Sequence, residues 1–231
     1  MSGATDRYVH HRITCASLQW QATADAIRED GAARLEAAGG LLYGVWRSQI
    51  GAPRDEVNVI SAWPGGSADA AEQATDILTE GVASIRDIAS GAMVPTLRPA
   101  LTESGLIEPP RRQGNYAFRW FDTPAKHWDE FLDLCVGAWP GFESSYDSQI
   151  VGLWRFLERD DGQNPGAMIR SLLLTRRPDL AMWERSKLPA NAEEAEVRRK
   201  LSRRYDLCEW TTVFTTTLLT AEDKVDEARW A

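Results

Sequence analysis

Two histidines and an arginine stand side by side in the stretch "RYVHHRITC", residues 7–15. Imidazole is the one side chain whose ordinary pKa, about 6.5, lets it give and take protons near neutrality. Arginine presents paired N–H donors that fit a carboxylate or an enolate oxygen. The stretch alternates and is rich in strand formers, so Tyr8, His10 and Arg12 share one face while Val9 and Ile13 share the other. His10 as acid/base and Arg12 as oxyanion partner would together suit proton abstraction next to a carbonyl. The plainer alternative is that His10 is a satisfied or solvent-facing histidine near a chain end. His127 lies beside Trp128 in a helical stretch and reads as a surface residue.

A second signal is written twice. "LLYGVWRSQIG" and "QIVGLWRFLER" both carry Gly-x-Trp-Arg inside an apolar strand, at Gly44–Arg47 and Gly152–Arg155. Neighbours in a strand point to opposite faces, so Trp46 and Arg47 cannot both line one cavity, nor can Trp154 and Arg155. Gly44 and Trp46 share a face, and a glycine there makes room for a large ring from a neighbouring element. The chain holds ten tryptophans, which suits either a thick core or an aromatic-walled pocket. Trp46, Trp63, Trp120 and Trp154, with Tyr8, are candidate walls for a flat substrate. Val57, Val59, Ser61 and Trp63 share a face of the third strand, where Ser61 has one hydrogen bond to offer a ligand. No Gly-x-Ser-x-Gly elbow surrounds it to make it a nucleophile. Arg170, early in the matching strand of the second half, faces either an anionic substrate or a surface carboxylate.

These residues need a scaffold, and the echo supplies it. At one ungapped offset Tyr8 falls on Tyr116, Trp20 on Trp128, Gly44 on Gly152, Trp46 on Trp154 and Arg47 on Arg155. Trp20, Ala24, Ile27 and Gly31 fall on Trp128, Leu132, Cys135 and Trp139, spaced i, i+4, i+7, i+11 along one helical face. The reading is two copies of one domain, over 1–102 and 115–231, joined by a linker over 103–114. In the first copy a strand precedes a helix over 20–38 that stops at Gly39-Gly40. Strands "LLYGVWRSQI" and "EVNVISAW" follow. Ser67 then caps a helix with apolar positions at Ala71, Ala74, Leu78 and Ile85, and "AMVPTLRPAL" closes the copy as an edge strand. In the second copy Thr123-Pro124 opens the first helix, and Pro189 divides the later one.

Each copy is therefore βαββαβ, the ferredoxin-like order, and the fold class is α+β. His10 and Arg12 answer to Phe118 and Trp120, so one copy keeps polar groups where the other is aromatic. A sheet with both helices on one face leaves the other bare. Two such sheets placed face to face within one chain would cover each other and enclose a pocket.

The stretch "LLYGVWRSQIGAPRDEVNVISAW" resembles the NIPSNAP family, within the dimeric α/β-barrel superfamily, and the likeness runs over about Arg7 to Ile88. The second copy keeps "VGLWR" but has "SLLLTRRP" where the terminal Trp would be. Family members often carry a His two residues before that Trp, where this chain has Ser61. The resemblance implies an intramolecular barrel of two ferredoxin-like modules. The superfamily includes cofactor-free monooxygenases, polyketide cyclases and haem enzymes such as chlorite dismutase. A haem enzyme of this kind takes its proximal His from the C-terminal module, and no histidine follows His127.

Composition removes other classes. There are 26 Lys and Arg against 34 Asp and Glu, a net charge of −8, which does not suit holding nucleic-acid backbones. No apolar run approaches the roughly 20 residues of a membrane span. The opening "MSGATDRYVHHRI" lacks the regions of a signal peptide, so a cytoplasmic protein is expected. Three scattered cysteines read as reduced thiols, no cluster has metal-ligand spacing, and no phosphate loop is present. The expectation is a cofactor-independent cyclase, isomerase or monooxygenase acting on a small aromatic or polyketide-like molecule, as a monomer or homodimer. A non-catalytic binding protein with the same pocket is the alternative, and a haem-dependent enzyme the least favoured.

Overall fold

In a computed structural model the structure describes residues 6–66, 69–97, 107–157 and 167–223. Alternation in "RYVHHRITC" forms β1 (Arg7–Cys15). The helical stretch that follows is continuous but mixed: α1 (Trp20–Ala26), a π-helical turn over Ile27–Gly31, and α2 (Ala32–Ala37). It stops where expected. Gly39 takes φ +84°, and the Gly40 amide returns to the Leu35 carbonyl at 2.9 Å, closing the last turn. Strands β2 (Leu41–Ile50) and β3 (Glu56–Trp63) come next, then α3 (Ala70–Thr79) and β4 (Ile85–Leu97). Here the sequence reading needs correcting, because α3 ends at Thr79 and Ile85 opens β4. A turn intervenes, so the apolar spacing that ran through Ile85 joined two elements. Ser67 lies outside the described residues.

The second half follows as β5 (Asn115–Pro124), a short 3-10 turn over Ala125–His127, α4 (Trp128–Tyr146), β6 (Gln149–Phe156) and β7 (Met168–Arg177). It ends with α5 (Leu180–Arg185), α6 (Ala192–Asp206) and β8 (Trp210–Leu218). Pro124 does not open a helix but closes β5, with ψ of 136°, and α4 starts at Trp128. α5 and α6 are capped by Asp179 and Asn191, whose side chains accept from the Met182 and Glu194 amides.

The chain divides into two units, the first of Met1–Ala92, Ile107–Gly114 and Thr215–Ala231, the second of Met93–Leu106 and Asn115–Phe214. Both boundaries fall inside strands, one in β4 and one in β8. In the first unit β1 pairs with β3, β3 with β2, and β2 with the end of β8, all antiparallel. In the second β5 pairs with β7, β7 with β6, and β6 with the end of β4. Each unit has its own core. Val9, Ile13, Val45, Val57, Val59 and Trp63 pack under the helices of the first. Phe121, Phe131, Trp139, Leu153, Ile169 and Leu173 do so in the second.

The rungs of the two sheets correspond. Gly44, Ile60 and His10 stand across one rung, and Gly152, Leu174 and Phe118 across its counterpart. A register shift falls between Leu42 and Gly44 in one sheet and between Ile150 and Gly152 in the other.

Candidate functional site

Alternation along β1 sends its two histidines to different surroundings. His11 turns to the helices, where its Nε2 lies 3.1 Å from the Thr75 hydroxyl on α3, and burial holds it down to about 4. His10 turns the other way. Its Nε2 is 3.0 Å from Oδ1 of Asn58, and Asn58 Nδ2 donates to Glu56 Oε1 at 3.2 Å. Arg12 completes the chain by donating to Glu56 from its terminal nitrogen at 2.7 Å and from Nε at 3.4 Å.

The chain fixes a tautomer. An ionised carboxylate only accepts, so Asn58 must present its amide N–H to Glu56 and its carbonyl to His10. The proton of the neutral His10 ring then sits on Nε2, and the basic lone pair on Nδ1. Burial pushes His10 down to about 3; the Asn58 contact works against this, and the charges of His11 and Arg12 add to it. At neutral pH His10 is therefore an uncharged imidazole held in one orientation by three residues. Geometrically this is an imidazole, its orienting amide, and a charged anchor.

Arg12 takes a different part from the expected one. Its guanidinium holds Glu56 rather than waiting for an oxyanion, because a carboxylate only 4% exposed needs a charged partner beside it. Glu56 and Asn58 escaped the sequence reading. They alternate with the valines of β3, and only pairing register reveals that Asn58 stands opposite Arg12 and Ile60 opposite His10.

The aromatic candidates separate by face. Trp46 lies across from Asn58, so it shares the His10 face, and it is wholly buried. Its ring folds back over its own strand, since a Cβ added at Gly44 would come within 2.8 Å of ring carbon Cζ2. The room that Gly44 makes is thus taken by Trp46 itself. Arg47 goes to the helix side and stacks over Trp20, 4.0 Å from the ring centre. Tyr8 stands edge-on to Tyr43 at 5.4 Å. Ser61 and Trp63 are not on the His10 face. Trp63 packs in the helix-side core, where its indole N–H donates to the Ser61 hydroxyl at 3.0 Å. Both are removed from the ligand-contacting set, because Ser61 satisfies a buried indole.

In the second unit the middle of the face turned from the helices is aromatic, with Phe118, Trp120 and Phe214 in mutual contact and Trp154 opposite Leu172, while Asp122, Arg170 and Arg176 stand toward its ends. Arg170 pairs with Asp122, Nε to Oδ1 at 2.7 Å, and leans over Trp210. Its partner is a carboxylate of this chain, one of the two roles the sequence left open. A cavity of about 80 Å³ also opens in this unit, on the helix-covered side, and none of its lining residues is among the candidates above.

No family model matches the chain, and no curated protein matches it in sequence. Solved structures do match along nearly its whole length. A proposed monooxygenase from Lactobacillus acidophilus aligns with a TM-score of 0.55 at 10% identity, covering 93% of this chain and 94% of that one. An anthrone oxidase-like protein aligns at 0.53 and 16%, covering 93% and 92%. A point variant of the chlorite dismutase of Candidatus Nitrospira defluvii aligns at 0.55 and 9%, covering 92% and 90%. The chain therefore shares the fold of these structures.

The resemblance drawn from the sequence raises the question of haem. The cavity of the second unit is far below the roughly 300 Å³ at which pockets for drug-sized ligands begin, and its lining contains no His, Cys or Met. The residues present do not fit a porphyrin there. Among the described residues no group of three His, Cys, Asp or Glu is placed to hold a metal ion.

Proposed function

We propose that this chain is a small-molecule enzyme in which His10 removes a proton from a phenolic or enolisable aromatic or polyketide-like substrate, with no resident cofactor. The observation that carries this reading is the chain His10–Asn58–Glu56–Arg12, which fixes the ring and assigns its proton to Nε2. Loss of a C–H proton to Nδ1 leaves an enolate. That enolate either attacks a carbonyl of the same molecule, closing a ring, or passes its electrons to dioxygen as co-substrate. The oxidase-like and proposed monooxygenase neighbours favour the second course. His10 is a weak base at rest, yet the enolate it forms supplies the opposite charge that raises it. Arg12 is a positioning residue acting through Glu56, and Tyr8 and Trp46 flank the reacting face. Trp154, the counterpart of Trp46, and Trp120, the counterpart of Arg12, form the aromatic wall of the second unit.

The same reading takes the two halves as sister modules, 1–102 and 115–231 with a linker over 103–114, of a NIPSNAP-like cytoplasmic protein that works as a monomer or homodimer. The repeated register shift before Gly44 and Gly152 supports it. A second reading, binding without turnover, is favoured by the depressed basicity of His10, since effective bases titrate near working pH.

The test is turnover of anthrone, followed by product formation and oxygen uptake. His10→Gln keeps an amide N–H for Asn58 but has no basic nitrogen. It is expected to lower kcat by about 10²–10⁴-fold, the usual worth of a general base, with little change in KM. Equal turnover by the variant would remove His10 from the chemistry. Anthrone that protects the protein against heat yet returns unchanged would establish the second reading.

A further inference from the structure

The cavity of the second unit is lined by five cations and no carboxylate. Arg119 reaches it from β5, Arg177 from β7, Arg198 and Arg204 from α6, and Lys187 from the turn after α5. Buried arginines are ordinarily paired, because an isolated charge out of water costs several kcal/mol. Among the described residues none of these four arginines has an ion pair. Of the lining cations only Lys187 has a carboxylate partner, Glu184 at 2.7 Å, while Glu143 is engaged with the Ile150 amide and Glu194 with Arg185.

The arginines are held mainly by aromatic rings, with Arg177 also donating to the Thr175 hydroxyl at 3.3 Å and Arg204 to the Cys135 sulfur at 3.4 Å. The Arg177 guanidinium is sandwiched 4.3 Å from the Trp183 ring and 5.0 Å from Phe142. Arg119 and Arg204 lie 5.3 and 5.5 Å from the ring of Tyr205. Stacking orients a guanidinium without consuming its donors. The Nε atoms of Arg177 and Arg204 are buried with no hydrogen-bond partner, which is costly unless something is meant to accept from them. The field is strongly positive. Burial and then the neighbouring Arg119 lower Arg177 to about 10, and Arg119 is itself lowered by burial. Burial alone would push the Tyr205 phenol up, yet Arg204 and Arg119 bring it below its ordinary value.

We infer that this cavity is a phosphate-binding site, in which guanidiniums arriving from two strands and a helix close around a tetrahedral oxyanion. A single carboxylate is satisfied by one fork, whereas donors from three elements and an excess of positive charge suit a dianion with several oxygens. The cavity of about 80 Å³ admits the phosphate itself, and its rim of Trp183, Phe142 and Tyr205 can take the body of a phosphorylated small molecule. Free phosphate and a phosphate ester share this chemistry. The inference does not depend on the role of His10.

The experiment is calorimetric titration of the full chain at matched ionic strength with inorganic phosphate, phenyl phosphate and acetate. One phosphate per chain is expected, with Arg119→Gln and Arg177→Gln each weakening it by about tenfold or more. Arg199→Gln, on the exposed side of α6 and paired with Glu196, is expected to bind as the parent does. Tighter binding of phenyl phosphate than of phosphate would point to a phosphorylated metabolite, and equal binding to free phosphate. Binding lost equally in Arg199→Gln, acetate as good as phosphate, or no heat from either phosphate would overturn the inference. Should Arg177→Gln fail to fold by circular dichroism, Arg119→Gln and Arg198→Gln at the cavity edge decide the matter.

Discussion

His10 and His11 are adjacent in sequence and have opposite surroundings, one tied to Asn58, the other to Thr75 under α3. Both are held neutral by burial, to about 3 and about 4. In the unfolded chain each would titrate near 6.5, so the folded state binds fewer protons below that point. The stability they confer is complete above pH of about 6.5 and is lost as pH falls through 4 and then 3. On the order of 3 kcal/mol for His11 and about 5 kcal/mol for His10 is at stake by the low end of that window. Thermal midpoints of the parent and of His10→Gln/His11→Gln, measured from pH 7 to pH 4, should converge as the parent declines more steeply. Parallel curves would mean the two rings protonate without unfolding the chain. At this scale the sequence told which residues share a face, because alternation is local. It could not tell that Arg12 would be claimed by Glu56, since that depends on a strand more than forty residues away.

Among the elements, β2 explains the repeated Gly-x-Trp-Arg. Gly44 admits the ring of Trp46, and Arg47 crosses to the helix side to cover Trp20. Gly44→Ala would place a methyl group where the indole lies, and the ring, wholly buried, has nowhere to retreat. A loss of about 1–3 kcal/mol is expected, as for overpacked cores, read by urea denaturation with an unchanged slope. An effect below 0.5 kcal/mol would mean the ring can turn aside. Strand order and most helix positions were legible from apolar spacing and from stops such as Gly39. Three features were not. The π-helical turn at Ile27–Gly31 keeps the same buried face and so leaves no trace in the pattern. Pro124 suits a first helical turn and a strand end equally well. Every residue of β3 is buried, so hydrophobicity alone could not show which face meets His10.

For the molecule as a whole, the decisive feature is that β4 and β8 each belong to both units. The sequence placed the boundary in the linker over 103–114, where composition changes, and composition says nothing about which sheet a strand completes. A fragment ending at residue 102 lacks the β8 residues Thr215–Leu218 that pair with β2, and one starting at 115 lacks the β4 residues that pair with β6. Neither fragment should show a cooperative thermal transition alone, whereas the full chain should melt in one step with equal calorimetric and van't Hoff enthalpies. Two resolved transitions in the full chain would refute that coupling.

The division of β8 bears on how the protein is made. Residues emerge from the ribosome in order, so the nascent first unit has every strand it needs except its last, which is translated only after β5, β6 and β7. Until then the outer edge of β2 is an open template for strands of other chains, and its safe passage falls to chaperones or to speed.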